Sequence, residues 1–473
     1  MYLKVNYPTT VRKKITVKSF AGGMVDETDE KVSDLSKASL IYNFDYSSGV
    51  LKSGTGASPY SDNYTMTALK DIYPAGIHYY KRFNQSKNDY EDRLIYFCSD
   101  NHLYYVNLKG GEFKKIEGVF FVQNPLSIHY NYLDKDVLLL TNQSKLYYLD
   151  DETLYEIKGA PIITSLCVHK ERVFVTTSGD GTSLWFSDDF NPTNWAISLN
   201  EAGFIKFSDD LGKLLKVVSF LDYVYVFREY GISRVTAYGD QEEFATDNLY
   251  GKVGKIFGNS VTDVGDYIVM ITSSGIYKFN GLDSTKILGE FDRFLQGVDN
   301  TKAKGVYHGN NLYYKLNMKF DGNVETVFLT YNTATNKAHI SRNMNINDIV
   351  FCGGNINKVM FANNIGPRVA YLDSSGTYLQ VPSKKEWISA YSDLGVSGKN
   401  KFLQKVSIYT KNPITLTVTC DNKQLVYKIK GGGYNEVYPS MKGELFRVSI
   451  QEKTSSPEIY NLSLYVEYVK ESF

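Results

Sequence analysis

The residues of this sequence best able to do chemistry are its six histidines and three pairs of adjacent aspartates. His169 and His308 each stand four residues before an apolar residue, Val173 and Leu312, that opens a strand-like run. His78 and His129 precede similar runs at looser spacing. A neutral imidazole can ligate a metal or carry a proton near neutral pH. A histidine recurring at a fixed offset in separate repeats is, however, expected to be a half-buried turn residue, because repeats arranged around a ring point it in different directions. The paired acids Asp150–Asp151, Asp188–Asp189 and Asp209–Asp210 suggest glycoside hydrolysis, which needs two carboxylates about 5–9 Å apart across a sugar. Each pair falls between strand-like runs and is expected to be a solvated turn. HExxH, GxSxG, GxxxxGK[ST] and a helix-opening GxGxxG are all missing. The sequence therefore assigns no catalytic residue, no metal ligand and no cofactor. Trp195 and Trp185 are its candidates for surface recognition, because an exposed indole can stack on the apolar C–H face of a sugar.

The elements that must position these residues repeat along the chain. Arg93–Ser99, Asp136–Thr141, Arg172–Thr176, Tyr223–Phe227, Tyr267–Ile271, Asn311–Leu316 and Lys358–Ala362 are each followed, across a short polar turn, by a second apolar run. The first apolar residues of these runs, Leu94, Val137, Val173, Val224, Ile268, Leu312 and Val359, are spaced by 43, 36, 51, 44, 44 and 47 residues. One four-stranded unit every 40–50 residues or so is the period of a β-propeller blade. The fold class is thus all-β: a propeller of about seven four-stranded blades over residues 72–380, followed by a small C-terminal β-sandwich over 381–473. Residues 1–71 are expected to form an arm whose strands latch a late blade. Phe402–Tyr409, Ile414–Cys420, Leu425–Ile429, Leu445–Ile450 and Ile459–Val469 are the expected sandwich strands, with Ile, Leu and Val of Ile414–Thr419 on one face and Thr on the other. Gly431–Gly433 is a flexible turn, with no helix after it to make a phosphate cradle. Short helices are expected at Asp34–Leu40 and Asp292–Leu295. Ser178-Gly-Asp-Gly-Thr-Ser-Leu-Trp185 partly resembles the Asp-box turn of sialidase-type propellers, with Thr182 where that motif has Gly. Such a box is a structural turn.

Composition bounds the function. The 473 residues carry 52 Lys and Arg against 52 Asp and Glu, so the formal net charge is zero, which argues against bulk electrostatic binding of nucleic acid. With 43% hydrophobic and 22% charged residues the chain can build a core. Its 39 tyrosines and 26 phenylalanines favour strands. Cys98, Cys167, Cys352 and Cys420 are widely spaced and expected to be free thiols. No apolar run reaches the roughly 20 residues that span a bilayer. Met1–Phe20 mixes Lys4, Arg12, Lys13 and Lys14 with Thr and Val and lacks the apolar stretch of a signal peptide, so the protein is expected to be made and assembled in a cytoplasm.

Ser19-Phe-Ala-Gly-Gly-Met-Val-Asp26, then Leu40-Ile-Tyr-Asn-Phe-Asp-Tyr46, then Gly49-Val-Leu-Lys-Ser-Gly54 resembles the opening of a family of tailed-bacteriophage virion propellers. There, an aromatic-x-Gly-Gly turn precedes a short helix, an Asn-led strand and a glycine-tipped hairpin. Cys167–Val175 with Leu184–Ser187, Val217–Phe227 with Gly231–Arg234, and Gly258–Asp266 with Ser274–Tyr277 and Asn280-Gly281 resemble successive blades of that family. Trp387 with Asp393-Leu-Gly395 and Lys401 resembles the start of the sandwich that often follows.

The resemblance implies a non-enzymatic structural component of a phage tail or neck. Its partners would be other virion proteins and further copies of the chain, with a six-fold ring favoured and DNA met only in passing, as through a tail nozzle. The chain is short for a nozzle. A receptor- or carbohydrate-binding tail protein is the alternative, and a propeller glycoside hydrolase the remaining one.

Overall fold

The computed structural model of this chain describes residues 9–25, 34–60, 71–110, 113–142, 144–198, 201–249, 253–364, 368–454 and 456–470. Asp26 of the N-terminal signature, Lys4 and parts of the expected arm lie outside them. Two compact units are built from interleaved segments: Pro59–Thr326 with Asn345–Leu372, and Met1–Ser58 with Val327–Met344 and Asp373–Phe473.

The first unit is the propeller. Blade one is Pro74–Asn84, Asp89–Cys98, Leu103–Asn107 and Lys114–Ile116, paired antiparallel in that order. Blade two is Leu126–Tyr132, Lys135–Thr141, Leu146–Asp150 and Thr153–Ile157. Blade three is Ile163–His169, Arg172–Thr177, Ser183–Phe186 and Gly203–Lys206, and blade four is Leu214–Phe220, Tyr223–Arg228, Ile232–Thr236 and Ala245–Leu249. Blade five is Thr262–Asp263, Ile268–Thr272, Gly275–Phe279 and Ser284–Ile287. Blade six opens with Lys304–His308 and Asn311–Phe320, and blade seven with Asp348–Cys352 and Lys358–Ala362.

The strands that the spacing singles out are therefore the second of each blade, and an innermost strand precedes each one. In blades two, three, four and six these two strands are joined by a two-residue turn with both φ angles positive: Leu133-Asp134, Lys170-Glu171, Leu221-Asp222 and Gly309-Asn310. That is the primed geometry matching the twist of a hairpin. It also explains the histidine spacing, since His169 and His308 each end an innermost strand and pair with the first residue of the next, Arg172 and Asn311.

Apolar side chains fill the wedge between neighbouring blades. Tyr80, Ile95, Phe97 and Leu103 pack with Leu138, Leu140 and Leu149 between blades one and two. Ile77, Leu94, Tyr96 and Cys98 pack with Cys352, Met360, Ala362 and Val369, so blade seven packs on blade one and the ring closes. Tyr60 N donates to Val369 O at 3.1 Å, which brings the segment before the first blade alongside the last one. All four cysteines are buried and free.

The second unit is a β-sandwich larger than residues 381–473. One sheet pairs Thr9–Val17, Ile459–Lys470, Lys401–Thr410 and Gly433–Val437, with Met441–Gly443 also on Lys401–Leu403. The other pairs Ala38–Tyr42, Lys385–Ser389, Phe446–Glu452, Ile414–Cys420 and Lys423–Ile429. The inward residues Leu403, Val406, Leu416, Val418, Val448, Leu462 and Leu464 are fully buried. The N-terminal residues thus complete both sandwich sheets, which differs from the expected split into a separate arm at 1–71, a propeller at 72–380 and a sandwich at 381–473. Residues 34–37 form a turn leading into Ala38–Tyr42 rather than a helix; Ala38, Leu40 and Ile41 enter a ladder with Ser389, Ile388 and Trp387, which takes their backbone groups. Asp292–Leu295 is a single helical turn, as expected.

The signature residues pack together in this unit. Phe20 is fully buried, with its ring edge-on to the buried Trp387 at 5.2 Å. Phe20 N donates to Gly49 O, at the hairpin tip where Gly49 has φ +83° and a Cβ would lie 2.5 Å from Ser19 Oγ. Asn43 is buried in the left-handed region at φ +59°. Its Oδ1 accepts from Arg342 N at 2.8 Å, and its Nδ2 donates to Lys384 O at 2.6 Å. The buried Lys401 donates to Val396 O at 2.6 Å, fixing the turn that follows Asp393-Leu394-Gly395.

Candidate functional site

A buried polar cluster sits where the propeller ring closes. Asp348, the first residue of blade seven, is buried. Its Oδ1 accepts from Lys304 Nζ of blade six at 2.6 Å and from Ile349 N at 2.9 Å. Its Oδ2 accepts from Ile77 N of blade one at 3.0 Å and from Asn124 Nδ2 at 2.9 Å. Four donors on one carboxylate join the first and last blades and the entry to the second. Burial pushes the Asp348 carboxyl up, but Lys304, His78 and Ile77 N outweigh it and hold it below the usual range.

His78 continues the cluster. Asn124 Nδ2 is committed to Asp348, so Asn124 Oδ1 must accept from His78 Nε2, 2.9 Å away. His78 Nδ1 then accepts from Ser127 Oγ at 2.8 Å. Both ring nitrogens are used by a neutral imidazole, and burial, with Lys304 adding to it, lowers the His78 pKa to about 4. Gly76 makes the approach possible, because a Cβ there would lie 1.8 Å from Asn124 Oδ1. Lys216, on the innermost strand of blade four, and Lys315 are both lowered by burial and both feel Lys304, so this part of the ring is rich in ammonium groups. Chemically the cluster is a clasp: every acceptor of Asp348 is filled and His78 has no free nitrogen.

Of the residues singled out by sequence, His78 belongs to this cluster and the others lie outside it. Trp195 is 4% exposed, packs among Tyr130, Val137 and Val175, and donates from Nε1 to Pro192 O at 2.9 Å. The expectation of a sugar-stacking surface at Trp195 is corrected: the indole fills the wedge between blades two and three. Trp185 is half-buried, with its ring 5.1 Å from Phe204. His169 is buried with Nδ1 2.8 Å from Ser219 Oγ; His129 Nε2 accepts from Lys81 N; His308 stacks on Phe351 at 4.6 Å. Asp151 pairs with Arg82 and Arg93, Asp150 with Lys135, and Asp209 with the buried Arg228. Asp188 Oδ2 accepts from Asn194 Nδ2. In the Asp-box-like turn, Asp180 accepts from Ser183 Oγ and from both Thr182 N and Thr182 Oγ1, which hold its pKa at about 2. Thr182 thus adds a hydroxyl bond where the motif has glycine. Among the described residues no three His, Cys, Asp or Glu side chains are grouped to hold a metal. No helix there is long and apolar enough to cross a membrane.

Asp348, Asn124, Gly76 and Lys304 were not singled out by sequence. Their partners are tens to hundreds of residues away, and the local pattern around Asp348 is only a polar residue opening a strand.

No family model matches the chain, and no curated protein matches it. Among solved structures it is similar to BBS1N in complex with ARL6DN, at 12% identity and a TM-score of 0.41 over 68% of this chain and 95% of that one. It is also similar to PorZ of Porphyromonas gingivalis, at 11% identity and TM-score 0.41 over 75% of this chain and 45% of that one. Hsv2 of Kluyveromyces lactis gives 12% identity and TM-score 0.37 over 78% and 99%. The propeller assignment rests on the chain's own blades and their closure.

Proposed function

We propose that this protein is a non-enzymatic structural component of a bacteriophage tail or neck, assembled in the host cytoplasm into the virion as part of a ring of identical copies. The reading is carried by the N-terminal signature. Of the residues through which the sequence resembles virion propellers, Phe20 packs on Trp387 and bonds Gly49, while Asn43 bonds Lys384 and Arg342, and these contacts join the N-terminal strands to the sandwich. A non-enzymatic role is supported by the use of Asp150, Asp151 and Asp209 from the paired acids, which serve as ion-pair partners of Arg82, Arg93, Lys135 and Arg228. Zero net charge suits a protein that DNA passes without sticking. Negative-stain imaging and sedimentation of the purified full chain, with antibody labelling of phage particles, test the reading. Rings, six-fold in the favoured form, and label on tail or neck are expected; a strict monomer with no label on virions overturns it.

A further inference from the structure

The outer face of the sandwich sheet carries a groove whose construction is independent of the ring closure. Strand Lys401–Thr410 pairs Leu403 with Val466 and Lys405 with Tyr465, leaving Gln404 as an extra residue. This bulge turns two consecutive side chains, Gln404 and Lys405, to the outer face, while Leu403 and Val406 stay fully buried. On the strand's other side the ladder also breaks. Leu403 pairs with Met441 and Val406 with Val437, so Tyr438, Pro439 and Ser440 leave the ladder opposite the bulge, Ser440 at φ +50°. Two interruptions facing each other open a groove of about 540 Å³, lined by Phe402, Gln404, Lys405, Tyr438, Ser440 and Tyr465. That volume lies in the range of small-molecule sites.

The lining alternates flat apolar surface with hydrogen-bonding groups. Tyr438 is 64% exposed and Phe402 36%. Lys405 Nζ and Lys14 Nζ stand 4.3 and 5.3 Å from the centroid of the Tyr465 ring and hold it in place. Lys405 is itself paired with Glu436, which also accepts from Tyr438 OH, each at 2.9 Å, so the cation that lines the groove is neutralised. The Gln404 amide and the Ser440 hydroxyl make no hydrogen bond among the described residues and stand beside these rings. Aromatic rings offer contact to apolar C–H faces, and an amide and a hydroxyl can pair with hydroxyl groups. A purely apolar ligand would strand Gln404.

We propose that this groove binds a neutral oligosaccharide, one or more pyranose rings lying against Phe402, Tyr438 and Tyr465 with hydroxyls paired to Gln404 and Ser440. The proposal rests on the groove alone. It stands or falls separately from the ring-forming role, which neither needs nor excludes it.

The test is binding of the full chain to an array of neutral glucans, galactans, mannans and chito-oligosaccharides, followed by calorimetric titration of the best binder. Binding at a Kd of roughly 1 mM or tighter is expected, reduced at least tenfold in Tyr465→Ala and in Gln404→Ala, with unchanged thermal midpoints. Lys216→Met, in the propeller, should leave binding unaltered. Binding to no member of the array, or binding that survives both groove substitutions, overturns the proposal. So does self-association of the wild-type chain that Tyr438→Ala abolishes without any sugar binding, which would make the face an interface between copies.

Discussion

Asn43 shows how much one side chain can hold in place. It adopts a left-handed backbone that costs most residues about 1–2 kcal/mol, and it gives both ends of its amide to backbone groups of two other segments. Asn43→Ala should therefore lower stability by roughly 3 kcal/mol. Asn43→Gly, which removes the strain but not the lost bonds, should cost visibly less. Urea unfolding midpoints of the two variants separate the contributions; equal losses would mean that the backbone conformation is not strained. His78 makes a prediction in pH. Below its ordinary value of 6.5 the unfolded chain takes up a proton that the folded chain refuses until about pH 4. Stability should thus be fully present above pH 6.5 and fall as the pH drops toward 4, by at most about 3 kcal/mol from this group. His129, His169 and His339 are lowered by burial as well and act in the same direction. His78→Gln should flatten part of the acid limb measured by urea unfolding between pH 7 and 4.5. An unaltered slope would assign the acid sensitivity to the other histidines.

At the scale of the element, the hairpin between innermost and second strand is the unit that repeats. Its two-residue turn demands positive φ twice, yet blade three fills it with Lys170 at +44° and Glu171 at +62°. Replacing the pair by Asn-Gly should raise stability by about 1 kcal/mol, read as a higher denaturation midpoint; the exposed Lys170–Asp222 pair lost in the exchange is worth little. A lower midpoint would show that these side chains do more than close the turn. The second strands were legible in the sequence because Val173, Val224 and Ile268 sit in apolar runs buried on both faces. The innermost strands were not, because a strand such as Leu126–Tyr132 mixes exposed and half-buried residues and shows no clean period. The clasp at Asp348 was illegible for a related reason, since its chemistry depends on which distant donors meet one carboxylate. Trp195 misled because a lone tryptophan among turn residues reads equally well as a platform or as a plug.

For the whole molecule, the finding that matters most is that the sandwich draws strands from both ends of the chain. A fragment of residues 381–473 is complete by sequence reading, but it lacks Thr9–Val17 and Ala38–Tyr42, two of the ten strands of the two sheets. It also lacks Phe20, which covers Trp387. Expressed alone it should be aggregated or molten, with poor NMR dispersion, because each sheet is left with an unpaired edge. A dispersed spectrum and cooperative melting from this fragment would show that the N-terminal strands are an accessory.

The pairing of Thr9 with Lys470 has a temporal meaning. The two residues are 461 positions apart, and a ribosome working at about 5–20 residues per second needs roughly half a minute to a minute and a half to deliver the second after the first. During that interval the propeller blades emerge in order and can close on one another, while the earliest strand has nothing to pair with. Completion of the sandwich thus waits until Ile459–Lys470 has been made, and a cell making many copies at once holds a population of chains with the same exposed strand waiting for the same late partner. Exchange of that strand between neighbouring nascent chains is the characteristic error such an order of synthesis invites.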